Sequence, residues 1–457
     1  MANSSPPQHI LIIGAGEFGL STALSLLSRP AYNGSRITIV DSSSQLPNPS
    51  GSSVDANRIV RADYADVLYS RLASECQHFW RDTSTDGWGG EGRYHQPGFV
   101  LTADAGAGEY LSQAMKSVLS VAAEGGLESR KIRELHGQDE IKKATGYEHV
   151  MGEYGYANFN SGWADAEACV AYTLRRIHKE GGDRVTIRSG AKVEKLSFSG
   201  NTCTGAELSD GQSINADLVI LAAGAWSPTL IDLQGRCLAT GQVLAFIDIT
   251  EEEQAAMGDR PVIMNMSRGM FIIPPRDNKL KIARHGFGYI NPVKIPRKSI
   301  QPTTKTEGDE YVEVSVPATG VSIPLEGQEA LREALGEIVP HMADRPFIRT
   351  RICWYCDTPT GDFLITYHPQ YKSLFVATGG SGHGFKFFPV IGDKIVDAIE
   401  GHLDPVYARE WRWRCDEDLQ KLCGSGGFTC CEDGSRAGAR GMILQKEMAR
   451  TENESEK

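Results

Sequence analysis

Two glycine-rich segments, one near each end of the chain, carry the residues whose spacing is most informative. The first, Gly14–Gly19, reads GAGEFG and has the GxGxxG spacing of a dinucleotide-binding turn. The second, Ser381–Lys386, reads SGHGFK and follows a Cys353–Tyr355 segment that reads CWY. In the first turn, glycines permit a tight bend and a close approach of the backbone to a pyrophosphate. That turn alone predicts a dinucleotide and nothing finer.

The elements needed to position the first turn are present on both sides of it. The apolar run His9–Ile13 predicts a strand, Glu17–Leu27 predicts a helix, and Arg36–Val40 predicts a second strand followed by Asp41. In this order the helix start faces the pyrophosphate, and the acid after the second strand accepts hydrogen bonds from the ribose hydroxyls. The sequence therefore predicts a Rossmann-type βαβ unit.

Length and charge exclude several classes of protein. The 457 residues exceed one ordinary domain, so we expect two or more cores. A formal net charge of −11 argues against a nucleic-acid partner, because phosphate binding requires concentrated Lys and Arg. No apolar run approaches the roughly 20 residues that cross a bilayer, so we expect no membrane segment.

The ends of the chain favour an intracellular protein. Residues 1–9 are polar and lack the basic start and apolar stretch of a signal peptide. The last three residues, Ser455–Lys457, are not a Ser-Lys-Leu peroxisomal signal. The sequence therefore favours the cytoplasm over the peroxisome.

Later strands indicate that the nucleotide domain is assembled from separate segments. Residues 216–226 and 374–380 are apolar runs closed by glycine, which is how parallel strands end beside a cofactor. Residues 240–350 contain alternating stretches typical of an antiparallel sheet. We therefore predict an α/β fold in which a Rossmann-type cofactor domain is joined to a substrate domain with a mixed or antiparallel sheet. The predicted cofactor domain comprises 8–95, 156–236 and 350–415, the substrate domain comprises 96–155 and 237–349, and 424–457 form a disordered tail.

The ten cysteines have no regular spacing, which argues against a disulfide framework. Cys415, Cys423, Cys430 and Cys431 fit no common zinc spacing, so we predict no metal site. Cys353–Cys356 is a CxxC segment, and its residues alone leave a redox pair, half of a metal site and an ordinary buried thiol all open.

Four blocks occur in one order along the chain: Asn57–Arg61 (NRIVR), Lys281–His285 (KIARH), Cys353–Tyr355 (CWY) and Ser381–Phe387 (SGHGFKF). Together with the glycine turn they resemble the FAD-dependent amine oxidases that include monomeric sarcosine oxidase, pipecolate and saccharopine oxidases, and the fungal fructosyl amino acid oxidases, or amadoriases. The resemblance covers most of residues 8–415.

This resemblance implies that FAD is the cofactor and that it is held covalently by a thioether from Cys353 to the flavin 8α-methyl carbon. It also implies a set of residues that surround the cofactor. They are Gly14, Gly16, Phe18, Gly19, Asp41, Ser53, Asn57, Arg58, Val193, Gly224, Gly382, Gly384, Phe385 and Lys386.

The implied reaction is oxidation of a secondary amine of an amino acid, whether N-alkyl, N-methyl or cyclic. Hydride passes from the carbon beside nitrogen to flavin N5, and O2 is the acceptor, so the products are an imine and H2O2. Arg58 matches the arginine beside the flavin ring, and Lys281 matches the lysine that promotes electron transfer to oxygen. His285 matches a residue that contacts substrate; on its own, a structural role remains open.

Arg61 and Lys386 match the pair that binds the substrate carboxylate. An arginine fork can bind a carboxylate through two hydrogen bonds, and a lysine adds a point charge. Tyr355 matches a residue that caps the substrate pocket. From the residues alone, a surface ion pair for Arg61 and core packing for Tyr355 remain open.

His285 bears on the substrate, because fructosyl amino acid oxidases tend to have an acid at the matching position. A histidine there favours a sarcosine-like or pipecolate-like amine over a glycated one. Three alternatives remain: a fructosyl amino acid oxidase, an amadoriase-like enzyme of secondary metabolism that closes a ring by oxidative C–C bond formation on an N-methyl phenolic amino acid, and a protein that uses NAD or acts as a sensor. The resemblance slightly favours a monomer.

Overall fold

The computed structural model describes residues 6–300, 310–423 and 431–455. The strands in the described residues are β1 (His9–Ile13), β2 (Arg36–Val40), β3 (Arg58–Val60), β4 (Tyr94–His95), β5 (Phe99–Ala103), β6 (Ile132–His136), β7 (Tyr154–Asn158), β8 (Gly162–Ala164), β9 (Val185–Arg188), β10 (Val193–Ser199), β11 (Thr202–Leu208), β12 (Ser213–Asn215), β13 (Leu218–Leu221), β14 (Leu238–Asp248), β15 (Val262–Asn265), β16 (Met270–Arg276), β17 (Lys279–Arg284), β18 (Tyr289–Ile290), β19 (Pro292–Pro296), β20 (Tyr311–Ser315), β21 (Arg349–Asp357), β22 (Leu364–Tyr367), β23 (Leu374–Thr378) and β24 (Met442–Ile443). The α-helices are α1 (Glu17–Ser28), α2 (Val67–Trp80), α3 (Glu109–Ala123), α4 (Gly137–Thr145), α5 (Ala166–Gly181), α6 (Glu251–Met257), α7 (Arg297–Ile300), α8 (Leu325–Ile338), α9 (Phe388–Glu400), α10 (Pro405–Glu410), α11 (Asp416–Cys423) and α12 (Leu444–Ser455).

A six-stranded sheet, with the order β22-β23-β13-β1-β2-β9, contains the predicted βαβ unit. Its strands are parallel except for β22 at one edge. Alternate residues of β1 enter two different cores: Ile10 and Ile12 pack in the cluster that includes α1, whereas Leu11 and Ile13 pack in the other. Because both faces are covered, β1 is apolar throughout, and the α/β prediction is confirmed.

A larger sheet has the order β24-β18-β14-β17-β16-β15-β5-β7-β6, with β21 also paired to β14. The pairs β15–β5 and β18–β24 are parallel, and the other pairs in it are antiparallel. The predicted mixed sheet is therefore present. Strand β5 comes from the first predicted substrate segment and β14–β17 from the second, so one sheet joins the two.

Strand β21 pairs with the larger sheet, although its residues fall in a segment that was expected to belong to the cofactor domain. The sequence placed 350–415 in the cofactor domain, yet β21 pairs with β14 along its whole length, from Leu238 opposite Asp357 to Phe246 opposite Arg349. Both faces of this strand are largely buried, so its sequence lacks the polar and apolar alternation that reveals a sheet partner. The strand that carries Cys353 therefore belongs to the larger sheet.

Part of the C-terminal segment is folded, and the prediction of a disordered tail is wrong for residues 431–455. Strand β24 pairs with β18, and the hydroxyl of Thr451 in α12 accepts a hydrogen bond from the N–H of Leu325 at the start of α8. These are tertiary contacts, which composition does not reveal. Residues 424–430 and 456–457 lie outside the described residues.

Two further features of the described residues bear on function. None of their helices combines the length and the apolar character needed to cross a membrane. They also contain no group of three or more His, Cys, Asp or Glu side chains arranged to hold a metal ion.

Candidate active site

A cavity of about 540 Å³ is lined by residues of both sheets. Nearly all of the residues singled out in the sequence line it: Gly14, Gly16, Phe18, Asp41, Ser53, Asn57, Arg58, Arg61, Val193, Gly224, Lys281, His285, Tyr355, Gly382, Gly384, Phe385 and Lys386. Gly19 and Cys353 are absent from the lining. The structure thus brings together residues that are more than 300 positions apart in the chain.

Two glycines of the first turn are required by geometry. Gly14 has a φ of +112°, and a Cβ atom on it would lie 2.3 Å from the carbonyl oxygen of Ala222. A Cβ atom on Gly19 would lie 2.0 Å from the carbonyl oxygen of Gly14. Any larger residue at either position would force the backbone apart, so the turn brings the start of α1 against the ends of β1 and β13.

Asp41 lies at the end of β2, as predicted, and its carboxylate is held by the protein. Oδ2 accepts a hydrogen bond from the N–H of Ala15, and Oδ1 accepts from the N–H of Ser43 and from Asn48. This arrangement links the glycine turn to the following strand and fixes the carboxylate at the cavity wall.

Three predicted residues share one face of the larger sheet. On β14, Gln242 lies opposite Cys353, Phe246 lies opposite Lys281, and Thr240 lies opposite Tyr355. Residues 240, 242 and 246 are separated by even numbers, and opposite residues in a sheet share a face. Lys281, Cys353 and Tyr355 therefore project from the same side of adjacent strands.

A buried carboxylate that the sequence reasoning missed, Asp55, holds two of the predicted cations. Its Oδ2 accepts hydrogen bonds from Lys281 Nζ at 2.6 Å and from Arg58 Nη1 at 2.5 Å. Lys281 Nζ also donates to the carbonyl oxygen of Asn57 at 3.1 Å. In the sequence, the importance of Asp55 is indicated only by its position two residues before the Asn57–Arg61 block.

Burial and charge act in opposite directions on this pair. Burial lowers the pKa of Lys281 to about 8, although the charge of Asp55 favours the ammonium form. Burial alone would raise the pKa of Asp55, but the charges of Lys281 and Arg58 outweigh it and hold this pKa below its usual value. Lys281 therefore keeps its positive charge at neutral pH because Asp55 is ionised beside it.

Cys353 lies directly behind this group. Arg58 Nη2 donates a hydrogen bond to Cys353 Sγ at 3.2 Å, and a second hydrogen bond from Nη2 goes to the carbonyl oxygen of Ser52. Cys356, three residues further along β21, lies on the opposite face and packs in the other core cluster. A redox pair between Cys353 and Cys356 is therefore incompatible with this strand.

Arg61 and Lys386 form a second group of buried cations. The guanidinium of Arg61 lies 4.8 Å from the ring centroid of Tyr64, and Lys386 Nζ lies 5.2 Å from the same centroid. Within the described part of the chain neither side chain has a carboxylate within ion-pair distance, although Asp63 acts on both and Glu17 acts on Lys386 from further away; Arg61 Nη1 has no hydrogen-bond partner. Burial, followed by repulsion from Arg61, lowers the pKa of Lys386. Arg61 is thus a buried cation and not a surface ion pair.

His285 and Tyr355 lie side by side, with ring centroids 5.8 Å apart. Burial, together with the nearby charges of Arg436 and Arg61, holds the pKa of His285 well below its usual value. The imidazole is therefore neutral. Gly382 packs against the ring of Tyr355, since a Cβ atom there would lie 2.3 Å from the ring.

The C-terminal segment contributes Arg436, which no sequence pattern indicated. Its guanidinium donates to Asp357 Oδ1 at 2.6 Å, to the carbonyl oxygen of Ser381 at 2.7 Å and to that of Gly286 at 3.3 Å. It also lies 5.3 Å from the ring centroid of Tyr355. One residue of the segment predicted to be disordered therefore joins three segments of the site.

The cavity fits a flavin dinucleotide. The glycine turn leaves room for a phosphate at the start of α1, and an extended cavity follows from there to the buried cations. Several buried polar atoms of lining residues lack a hydrogen-bond partner among the described residues, namely Glu17 Oε2, Asn57 Oδ1 and Arg61 Nη1. Buried polar groups are normally satisfied, so these atoms are suited to contact a ligand.

A Rossmann sheet with a glycine turn, joined to a mixed sheet across a cavity with fixed cations, defines a dinucleotide-dependent oxidoreductase. More particularly, the chain belongs to the family of FAD dependent oxidoreductases, which matches residues 9–398. The resemblance inferred from the four blocks is therefore confirmed, and the protein is an FAD-dependent enzyme of the amino acid and amine oxidases.

Individual relatives agree with this assignment. The chain is 32% identical to the amino acid oxidase imqH of Aspergillus flavus, over 86% of this chain and 93% of that protein. It is 28% identical to L-saccharopine oxidase of Schizosaccharomyces pombe, over 90% and 94%. The structure of fructosyl peptide oxidase from E. terrenum superposes with a TM-score of 0.81 at 27% identity and covers 97% of this chain and 98% of its own.

Proposed function

We propose that the enzyme oxidises a secondary amine of an amino acid, N-alkyl, N-methyl or cyclic, to an imine, with O2 as the final acceptor and H2O2 as the second product. The observation that carries this proposal is the pair of buried cations, Arg61 and Lys386, which lie beside the same tyrosine ring and have no carboxylate within ion-pair distance among the described residues. Bound FAD supplies the hydride acceptor. The chain supplies orientation and charge.

Arg61 and Lys386 bind the substrate carboxylate in this proposal. Two buried cations with no carboxylate in direct contact repel each other, and a carboxylate placed between them removes that repulsion while it accepts charge-assisted hydrogen bonds. The guanidinium fork fixes the plane of the carboxylate, and the ammonium group contacts it from another direction. The amine nitrogen and its neighbouring carbon are then held at a defined distance from this anchor.

His285 and Tyr355 contact the rest of the substrate. A neutral imidazole can accept or donate one hydrogen bond at the amine without adding charge to it. An acidic side chain in this place would suit sugar hydroxyls, so His285 supports an alkyl or cyclic amine. Tyr355 closes the cavity beside it.

Lys281 and Arg58 place positive charge in the wall of the reaction chamber. Positive charge there stabilises negative charge as it develops in the oxygen step. Asp55 keeps Lys281 protonated and holds both cations in one position. This supports the role of Lys281 in the reaction with oxygen and that of Arg58 beside the ring.

We further propose that Cys353 holds the flavin through a thioether. Its support is that Sγ lies within 3.2 Å of Arg58, which lines the cavity, and on the same sheet face as Lys281. We also propose that the protein acts as a monomer, as the name of its relative monomeric sarcosine oxidase from Bacillus states for that protein.

One experiment tests the substrate class. The purified holoenzyme is incubated with N-methyl amino acids, cyclic amino acids and fructosyl amino acids, and peroxide release and product masses are recorded. We expect peroxide with an N-methyl or cyclic amino acid, and less with the matching amine that lacks a carboxylate. Activity confined to fructosyl amino acids would overturn the proposed substrate. A product that loses two hydrogens but keeps every carbon, with the phenol joined to the former methyl group, would show ring closure.

A further inference from the structure

Cys356, excluded from pairing with Cys353, faces another cysteine. On β14, Ala239 lies directly opposite Cys356, and Cys237 precedes Ala239 by two residues. Cys237 lies one residue before the start of β14, and it is buried in the same core cluster as Ala239 and Cys356. Both cysteines are buried in the same core cluster, and their thiols are hydrogen bonded to each other.

The surroundings give the two thiols different properties. The Cys356 sulfur accepts hydrogen bonds from Cys237, from the Thr378 hydroxyl at 3.3 Å and from the N–H of Gly379, and these lower its pKa despite its burial. Burial raises the pKa of Cys237. The first thiol is thus the better nucleophile, and the second is poised to attack it once it is oxidised.

Only one of the two lines the cavity. Cys356 lines the cavity, together with Thr378 and Trp354, and Cys237 is absent from its lining. Cys76 and Cys169 provide a contrast, because burial raises the pKa of each and neither lines the cavity. A reactive thiol in the cavity wall with a second thiol behind it is an arrangement suited to react with a peroxide that forms inside the cavity.

We propose that Cys356 and Cys237 are a peroxide-responsive pair that forms a disulfide when H2O2 is produced in the cavity. The proposal rests on the proposed function, which supplies the peroxide. The Cys356 thiolate attacks one oxygen of H2O2, the O–O bond breaks, and the departing hydroxide takes a proton to become water. The Cys237 sulfur then attacks the sulfenic sulfur, the S–O bond breaks, and a second water leaves. Two thiols lose two electrons, and one peroxide gains them.

The test compares the effect of peroxide formed during amine oxidation with the effect of peroxide added to the enzyme. Holoenzyme is either supplied with an N-methyl or cyclic amino acid or treated with H2O2 in the absence of amine, and free thiols are then blocked with an alkylating agent. Peptides are mapped by mass without reduction. We expect a linked pair of peptides that contain Cys237 and Cys356, lighter by two hydrogens than the two thiols, and its disappearance after treatment with a reductant.

Variants separate the role of Cys356, which attacks the peroxide, from that of Cys237, which then forms the disulfide. In Cys237→Ser we expect Cys356 to accumulate as a sulfenic or sulfinic acid, and in Cys356→Ser we expect Cys237 to stay reduced. Cys76→Ser is the matched control for loss of a buried thiol and should form the linked pair as the wild type does. Linkage with added peroxide but not during turnover would support the thiol pair and count against peroxide production from that amine.

Three results would overturn the inference. In the first, both thiols are still free to react with the alkylating agent after peroxide has been added. In the second, Cys356 is linked to a cysteine other than Cys237. In the third, wild-type Cys356 is converted to sulfinic acid and no linked peptide is found. Each is read from the same mass map, so none depends on the rate of amine oxidation.

Discussion

Replacing Asp55 with Asn should change the charge of Lys281 with little change in the shape of the cavity wall. Asp55 Oδ2 accepts from Lys281 Nζ at 2.6 Å and from Arg58 Nη1 at 2.5 Å. Asparagine has nearly the same size but carries no charge. The substitution therefore leaves the buried Lys281 and the partly buried Arg58 facing each other without their counter-ion.

Coulomb's law sets the size of the effect. At an effective dielectric constant of about 20, two unit charges 2.6 Å apart attract each other by roughly 6 kcal/mol. That energy corresponds to between about four and five pKa units, and even about a third of it lowers the pKa of Lys281 from about 8 to below about 7. In the wild type, Lys281 loses its proton as the pH rises through about 8. In Asp55→Asn it is already largely neutral at neutral pH.

The assay is the reaction of the reduced holoenzyme with oxygen, followed by stopped-flow absorbance from about pH 6 to about pH 9. We expect the wild-type rate to fall as the pH rises through about 8, and the fall in Asp55→Asn to begin at least one pH unit lower. Asp55→Glu keeps the charge and should retain the wild-type profile. Asp362→Asn removes a partly buried carboxylate paired with Arg414 at 2.8 Å and serves as the control.

A rate profile for Asp55→Asn that coincides with the wild type would refute this reasoning, provided that the variant is folded and binds flavin. Breaking a buried pair costs about 3–5 kcal/mol of stability, so the free energy of unfolding is measured in parallel. A profile shifted to higher pH would be equally contrary, because loss of a neighbouring negative charge can only lower the pKa of a lysine.

Three further outcomes follow from the geometry of the site. Lys386→Met should raise the KM for a carboxylate substrate by about tenfold or more, because a charged hydrogen bond is lost. The same change at Lys394, an outer lysine paired with Glu75, should leave KM unchanged. Equal KM values for the two variants in steady-state assays would contradict the proposed binding of the substrate carboxylate by Lys386. Cys353→Ala should release all its flavin into the supernatant after acid precipitation, while the wild type retains yellow absorbance in the pellet; free flavin from both would disprove the thioether. Gly19→Ala should destabilise the protein by about 1–3 kcal/mol in denaturant unfolding, because the new Cβ meets the Gly14 carbonyl, and Gly34→Ala, with no atom within 4 Å of the added Cβ, should be neutral; similar losses in both would be the contrary result.

The sequence predicted those parts of the fold whose determinants are local. The glycine turn, the apolar strand β1 and the acid at position 41 lie within one βαβ unit, and their order alone specifies the unit. The four blocks located the cavity residues because the resemblance supplied their order and roles. Both kinds of inference rest on residues that are close together in the chain.

The features that the sequence did not predict depend on contacts between residues that are far apart in the chain. Asp55 gains its importance from Lys281, which is 226 residues away, and no local pattern records that contact. Arg436 lies in a segment with no apolar period, and its order depends on Asp357 and on the carbonyl of Ser381. The pairing of β21 with β14 was not predicted because a strand buried on both faces shows no alternation.

Strand β14 sets the distance between two residues of the site. It carries no group to which we assign chemistry, yet Gln242 and Phe246 on it lie opposite Cys353 and Lys281, four residues and about 13 Å apart along the strand. A slip of one residue in either pairing would turn one of these side chains to the far face. Loops around the cavity can therefore diverge to admit different amines, while the spacing between Cys353, the proposed flavin anchor, and Lys281, the lysine proposed to act on oxygen, is set by backbone hydrogen bonds alone.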